Sequence, residues 1–276
     1  MEYVRALENK NSSTRGEYIL TTLKALRIKT TVQEQRGLKI KNIVVDLSPD
    51  CEEKRLLISA HYDVVKGSPG ANDNASGVAV LLGLCRELKG MRSPVRVVFF
   101  DREEAWLRTP IIRFGLLGSL YYVWRTGSKT ISAVFNIEFC GLGDCLAVWP
   151  IRKKEINLPA FKEVKKVAER LKVPFKSAHI PWFLLSSDHL SFRLRGFSNA
   201  LTLSLLPSDE ILQTEKSLAG LNFGKILMNR RRYIPQPLRY LHGSEDVSAR
   251  LNESSLRLML TLLHELIQEH SGHKPG

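Results

Sequence analysis

Cysteine is scarce in this chain: four among 276 residues, irregularly spaced and with no CxxC pair. That excludes a disulfide framework and a thiolate zinc site, and it predicts reduced thiols. Long apolar runs are missing as well. No stretch approaches ~18 consecutive apolar residues, so a membrane span is not expected. The opening MEYVRALENKNSSTRGEY lacks the apolar block of a secretory signal, which makes the cytoplasm the expected compartment. A glycan on Asn74, which stands in an Asn-Ala-Ser sequon, would block its own glycine-rich loop, which agrees with that expectation. Acidic residues are the minority, 28 against 41 Lys and Arg, for a formal charge of +13. Such a field attracts nucleic acid, anionic surfaces or acidic peptides. The basic residues are scattered, however, and the densest cluster, Arg230-Arg231-Arg232, lies in no nucleic-acid-binding motif, so nucleic acid is not the expected partner. Repeats, low-complexity linkers and a domain boundary are also absent. One domain over residues 1–276 is the expectation, and 43% hydrophobic content suits it with a substantial core.

What the chain does contain is an alternation of strand and helix patterns. Tyr18, Ile19, Thr22, Leu23 and Leu26 have helical spacing, and LKIKNIVVDL reads as a strand. RLLISA is an apolar run ending at His61, Ser76 is placed to cap the helix GVAVLLGLCRELK before Gly90, and VRVVFF ends at Asp101. SAVFNI ends at Glu138, a helix follows over 160–171, NALTLSLL reads as another strand, and NESSLRLMLTLLHELIQEH closes the chain as an amphipathic helix with Asn252 as cap. This pattern predicts an α/β fold, a mixed and mostly parallel central sheet with helices on both faces. Two segments fall outside it: AWLRTPIIRF, residues 105–114, and residues 207–241. Each reads equally as a functional loop or as a tolerated surface insertion, the second as a lid or specificity insertion.

Acidic and histidine clusters share one address. HYD follows RLLISA, DREE follows VRVVFF, and NIE completes SAVFNI. In a mostly parallel sheet the carboxyl ends of strands line one edge, so these clusters converge. Several carboxylates at the mouths of buried strands are costly unless paired, and a cation is a fitting partner for them and for neutral imidazole. Taken singly, His61 with Asp63 is also explained as a surface pair, Glu103 with Glu104 as an acidic turn, and His242 as a loop histidine.

In order, HYD, GANDNASG, EE after VVFFD, GLLGS, FNIE, SSDHLSF and a histidine followed by ED resemble the zinc aminopeptidases of metallopeptidase family twenty-eight. That family also includes glutamate carboxypeptidase II and the glutaminyl cyclases. The resemblance runs from about residue 15 onward and implies a zinc-exopeptidase fold with two Zn2+ per chain, which Co2+ or Mn2+ could replace. By motif it implies that His61 binds one zinc, that Asp73 bridges both, that Glu104 and His242 complete the other, and that Glu138 shares the zinc of His61. Asp63 would orient His61, and Glu103 would be the general base. Asp188 and His189 match a segment near the substrate, where a structural hydrogen-bonding role explains them equally well. The implied substrate is a peptide with a free amino terminus.

The sequence departs from the family pattern in two places. Glu138 stands where an aspartate is usual, which bears on metal preference. The stretch between EE and GLLGS is longer than the minimal pattern, and Trp106, Ile111, Ile112 and Phe114 in it could pack inward or wall a side-chain pocket. The expected activity is metal-dependent aminopeptidase. A glutaminyl cyclase-like acyltransferase with one zinc is the alternative on the same framework, and Ser187 before Asp188, where cyclases tend to carry an acid, leans away from it. A carboxypeptidase or deacylase also uses such ligands. A non-catalytic binding protein using the basic surface is the alternative of another kind, against which Glu103 and the full ligand set argue. Assembly state is not fixed by the sequence.

Overall fold

The computed structural model describes residues 1–50, 52–104, 107–108, 113–149, 153–177, 187–208 and 240–272. Two helices open the chain, α1 (Glu2–Leu7) and α2 (Ser12–Ala25), and the Asn11 side chain caps the second by accepting from Thr14 N at 3.0 Å. Strands β1 (Thr31–Gln35), β2 (Ile40–Asp46) and β3 (Arg55–His61) lead to α3 (Ser76–Glu87) and β4 (Val95–Phe100). A short antiparallel pair follows, β5 (Leu107–Arg108) with β6 (Arg113–Phe114), then α4 (Leu117–Thr126), β7 (Ile131–Ile137) and β8 (Cys145–Trp149). The rest is α5 (Pro159–Arg170), β9 (Phe175–Ser177), α6 (His189–Leu194), β10 (Ala200–Leu206) and α7 (Glu253–His270).

Eight strands form one mixed sheet in the order β1-β2-β4-β3-β7-β10-β8-β9. Its centre is parallel, with β3 paired to β4 and β7, and β7 to β10; the β1–β2, β2–β4 and β8–β10 pairs are antiparallel. Parallel neighbours require crossovers, and the crossovers cover both faces. Leu56, Ile58 and Ala60 of β3 point into the cluster built with α1, α2, α3, α5 and α7. Leu57, Val98, Phe100 and Val134 point the other way, onto Tyr122 and Val123 of α4 and Phe192 of α6. Burial on two sides is why RLLISA and VRVVFF are unbroken apolar runs. At ~1.5–3 kcal/mol for each fully buried Leu, Ile or Phe, this layering is the main source of stability.

Helix α3 is buried at every position from Ser76 to Cys85, because the sheet covers one side and α7 and α1 the other. Its start differs from the sequence expectation. Ala75, not Ser76, is the N-cap, and the Ser76 hydroxyl donates to Asn72 O at 2.8 Å while accepting from Cys140 N at 3.0 Å, joining two loops of the site. Asn252 does hold the N-cap position of α7, but its side chain makes no capping bond. No helix among the described residues is long and apolar enough to cross a membrane. Residues 209–239 of the expected lid segment, Arg230–Arg232, Trp106, Ile111, Ile112 and the side chain of Phe114 lie outside the described residues.

Candidate metal centre

Because β3, β4 and β7 run in one direction, their carboxyl ends open on the same edge, the usual place for a site in such a sheet. His61 is the last residue of β3, opposite Phe100 of β4. Just after β4, Arg102 adopts φ +58°, and the turn brings the amides of Glu103 and Glu104 onto the Asp63 carboxylate, each donating at 3.0 Å. Asp63 therefore fastens the two-glutamate turn to the HYD segment. Its Oδ1 also stands 3.4 Å from His61 Nδ1, which leaves His61 Nε2 facing Asp73 Oδ1 at 3.2 Å.

Asp73 sits in a wide turn over Ala71–Ala75, where its own φ and ψ and those of Asn74 are non-helical. The Asn74 amide donates to Ile137 O at 2.8 Å and its oxygen accepts from Gly77 N at 3.1 Å, so the turn is bolted to the end of β7 and to α3. A Cβ on Gly77 would fall 2.4 Å from Asn74 Oδ1, which is why glycine stands there. Asn74 is fully buried, so in the folded chain its sequon presents no amide to solvent. On the other side, the Asp246 carboxylate accepts from Asn72 N at 2.6 Å and Asp73 N at 3.1 Å. That residue belongs to the loop carrying His242, whose Nε2 is 3.2 Å from Asp73 Oδ2 and 3.0 Å from Glu104 Oε1. Asp246 thus joins the Asp73 turn to the His242 loop, a role that its place in an ED pair after the histidine does not signal.

The donor atoms of Asp73, Glu104 and His242 lie within 4.8 Å of one another, close enough for a single ion. Among the described residues no other set of three gathers so tightly. The electrostatics fit a cation. Burial lowers the proton affinity of His242, but the Asp73 and Glu104 carboxylates outweigh it and raise the pKa to about 9. Burial likewise disfavours charge on His61, yet Glu103, Asp63 and Asp73 hold it well above the usual histidine range. Asp73 moves the opposite way: burial raises it, and the two histidines pull it below the ordinary carboxylate range. In this arrangement protons on imidazoles balance the carboxylates, and a divalent cation would serve that balance with the nitrogen and oxygen donors zinc accepts. Glu103 is driven well above its ordinary value, first by burial, and, against the pull of His61, by the carboxylates of Glu138, Glu104 and Asp188.

Glu138, the residue after β7, is buried close to His61 and Asp73. The Ser187 hydroxyl donates to its Oε1, as does Asn136 Nδ2 at 3.3 Å, and burial pushes its pKa to about 8. It is near enough to interact with His61 and Asp73, but it does not form a second three-donor set with them. Asp188 and His189 are buried, at 0% and 2% exposure, and the Asp188 carboxylate is near enough to interact with Glu103 and Glu138. Burial raises Asp188 to about 7 and, with Arg193, keeps His189 neutral while its Nδ1 meets Thr202 Oγ1 at 2.6 Å. The buried links through Asn136, to Ser59 at 3.0 Å and to Thr202 at 3.3 Å, had no sequence signal beyond polar residues inside apolar strands.

The sequence profile of Peptidase family M28 matches residues 42–267. Aminopeptidase YwaD of Bacillus subtilis is 39% identical over 89 residues, 30% of this chain and 18% of that protein. The chain spans between 9% and 25% of the curated relatives it matches. The LapA aminopeptidase of Legionella pneumophila has the same fold, with a TM-score of 0.72 at 16% identity over 98% of this chain and 70% of that one. So does the Porphyromonas gingivalis glutaminyl cyclase, with a TM-score of 0.71 at 18% identity over 98% of this chain and 96% of that one.

Proposed function

Because the chain belongs to peptidase family M28, we propose that it is a zinc aminopeptidase that removes the first residue from peptides with a free amino terminus. The observation that carries this reading is the Asp73, Glu104 and His242 donor set with the buried Glu103 carboxylate beside it. In this reading Asp73, Glu104 and His242 would hold one zinc, and His61 and Glu138 would hold a second together with Asp73. Bound zinc supplies a Lewis acid for the scissile carbonyl and a water that ionises near neutral pH.

The chain's own groups do the rest. Glu103 takes a proton from the attacking water and returns it to the amine as the peptide bond breaks. Burial among carboxylates raises its proton affinity in the metal-free chain, and beside bound zinc that affinity would fall back toward the range in which a glutamate both accepts and releases a proton. Asp63, accepting from both glutamate amides, keeps the base and its neighbouring ligand in fixed relation.

Glu103→Gln is expected to lower kcat/KM on aminoacyl anilides by ~10²- to 10⁴-fold with zinc content per chain unchanged. Undiminished turnover in that variant would remove Glu103 from its role, and a zinc-loaded wild type that cleaved no peptide in a broad panel would end the peptidase reading. A second reading has its own support. Among the described residues the one tight donor set suits a single ion, and Glu138 is engaged by Ser187 and Asn136, as a one-zinc glutaminyl cyclase with an acidic network would require. Metal analysis separates them: two ions and amino-terminal hydrolysis, or one ion and ammonia release from glutaminyl peptides.

A further inference from the structure

The one Lys or Arg buried among the described residues is Arg15, at 0% exposure, in helix α2 and so ahead of the family-matched segment. A buried guanidinium ordinarily meets a carboxylate. Here its described hydrogen bonds all go to backbone carbonyls: Nε to Leu7 O at 3.1 Å, Nη1 to Tyr62 O at 3.5 Å, and Nη2 to Pro69 O and Gly70 O at 2.9 Å each. Three of these carbonyls bracket the segment from the HYD motif to the turn that carries Asp73. Gly70 adopts φ +65°, and a Cβ there would fall 2.6 Å from Nη2, so the loop is built flush against the guanidinium.

We infer that Arg15 is a positioning residue of the metal centre, holding the 62–70 loop so that His61 and Asp73 are presented to the same ion. The proposal rests on the metal-site reading above. Two further contacts tie the same amino-terminal segment to the site: Asn9 N donates to Pro69 O at 3.0 Å, and the Glu8 carboxylate accepts from Ser248 N at 3.0 Å and from the Ser248 hydroxyl at 2.6 Å, in the segment just after His242. The α1–α2 segment therefore grips both ligand-bearing loops at once. Only a forked, planar donor reaches carbonyls on both ends of the 62–70 loop; a lysine ammonium keeps the charge but loses the fork.

Charge and position oppose each other here, which makes the inference testable. A cation with no positioning role only repels zinc, so removing it would tighten binding. A positioning residue, when removed, weakens it. Zinc affinity of the chelator-stripped full chain is measured by competition, together with the absorption spectrum of the Co2+ form. The expected result is a ~10- to 100-fold weaker affinity and an altered Co2+ spectrum in Arg15→Gln, with partial recovery in Arg15→Lys. Unchanged or tighter binding with a wild-type spectrum would overturn the inference. Should Arg15→Gln fail to fold, amide exchange on the wild type decides. Zinc is expected to slow exchange in residues 12–25 and not in residues 159–170, and equal effects on both segments, or none on the first, would overturn it. A wild type that bound no zinc would overturn the metal reading and this inference with it, whereas zinc-binding wild type with an indifferent Arg15→Gln overturns this inference alone.

Discussion

Asp63 shows how much one side chain can organise through backbone amides. It accepts two backbone amides, from Glu103 and Glu104, and faces His61 Nδ1. Asp63→Asn keeps the shape but turns an NH2 toward one of those donors, leaving an N–H facing an N–H and removing the negative charge behind the imidazole. We expect a 10- to 100-fold loss in zinc affinity or kcat/KM, read by competition titration and steady-state kinetics; values within twofold of wild type would contradict this. At this scale the convergence was partly legible, because His61 with Asp63, the two glutamates and Glu138 each follow an apolar run that ends at the same sheet edge, whereas Asp73 and His242 stood out only through the family resemblance. Asp246 was not legible. Its work is to accept two amides of the Asp73 turn, 174 and 173 residues away in sequence, and a residue that binds backbone leaves no motif.

Helices and strands were readable where burial fixed a period. The strand RLLISA, buried on both sides, ends at His61 as expected, and α3 and α7 lie where their apolar residues place them. Elements without such a pattern were missed: β1, TVQEQ, is an exposed edge strand; β9 is three residues long; α6 is six. Strand β8, though fully buried, and α4 were not read either. Helix α7 separates the two kinds of information. Leu263 is fully buried in the cluster shared with α3 and α5, so Leu263→Ala should cost ~2–5 kcal/mol in urea unfolding. Asn252 carries the sequence signature of a cap, but with no side-chain bond Asn252→Ala should cost much less than the ~1 kcal/mol of a bonded cap. A loss of 1 kcal/mol or more in that variant would mean the cap forms.

Over the whole molecule the charge of +13 conceals an acidic interior, and that interior sets how stability responds to pH. Without metal, burial raises Glu138 to about 8, Asp188 to about 7 and Asp246 to about 6, while the Asp73 and Glu104 carboxylates, against burial, raise His242 to about 9. All four lie above the values of the unfolded chain, so the folded state binds more protons across this range. The stability these groups give is complete below the ordinary carboxyl pKa near ~4 and is lost as pH rises through 6 to 9. Asp73 and His189, shifted downward, act in the other direction: Asp73 loses its stability only below its ordinary pKa, and the one proton that His189 excludes below pH ~6.5 is outnumbered by those that Glu138, Asp188 and Asp246 retain. Chelator-treated protein should therefore melt at falling temperature from pH 5 to 9. Zinc takes the place of those protons, so the rise in melting temperature on adding it should grow over the same interval. Glu138→Gln removes the carboxyl with the highest of these values, and its metal-free melting curve should be flatter between pH 6 and 8. Thermal scans at unit pH steps, with EDTA and with Zn2+, check all three expectations. A metal-free wild type whose melting temperature held level or climbed across pH 5 to 8 would mean that these acids are solvated in solution, and the centre would then lack the buried charge that a metal is needed to balance.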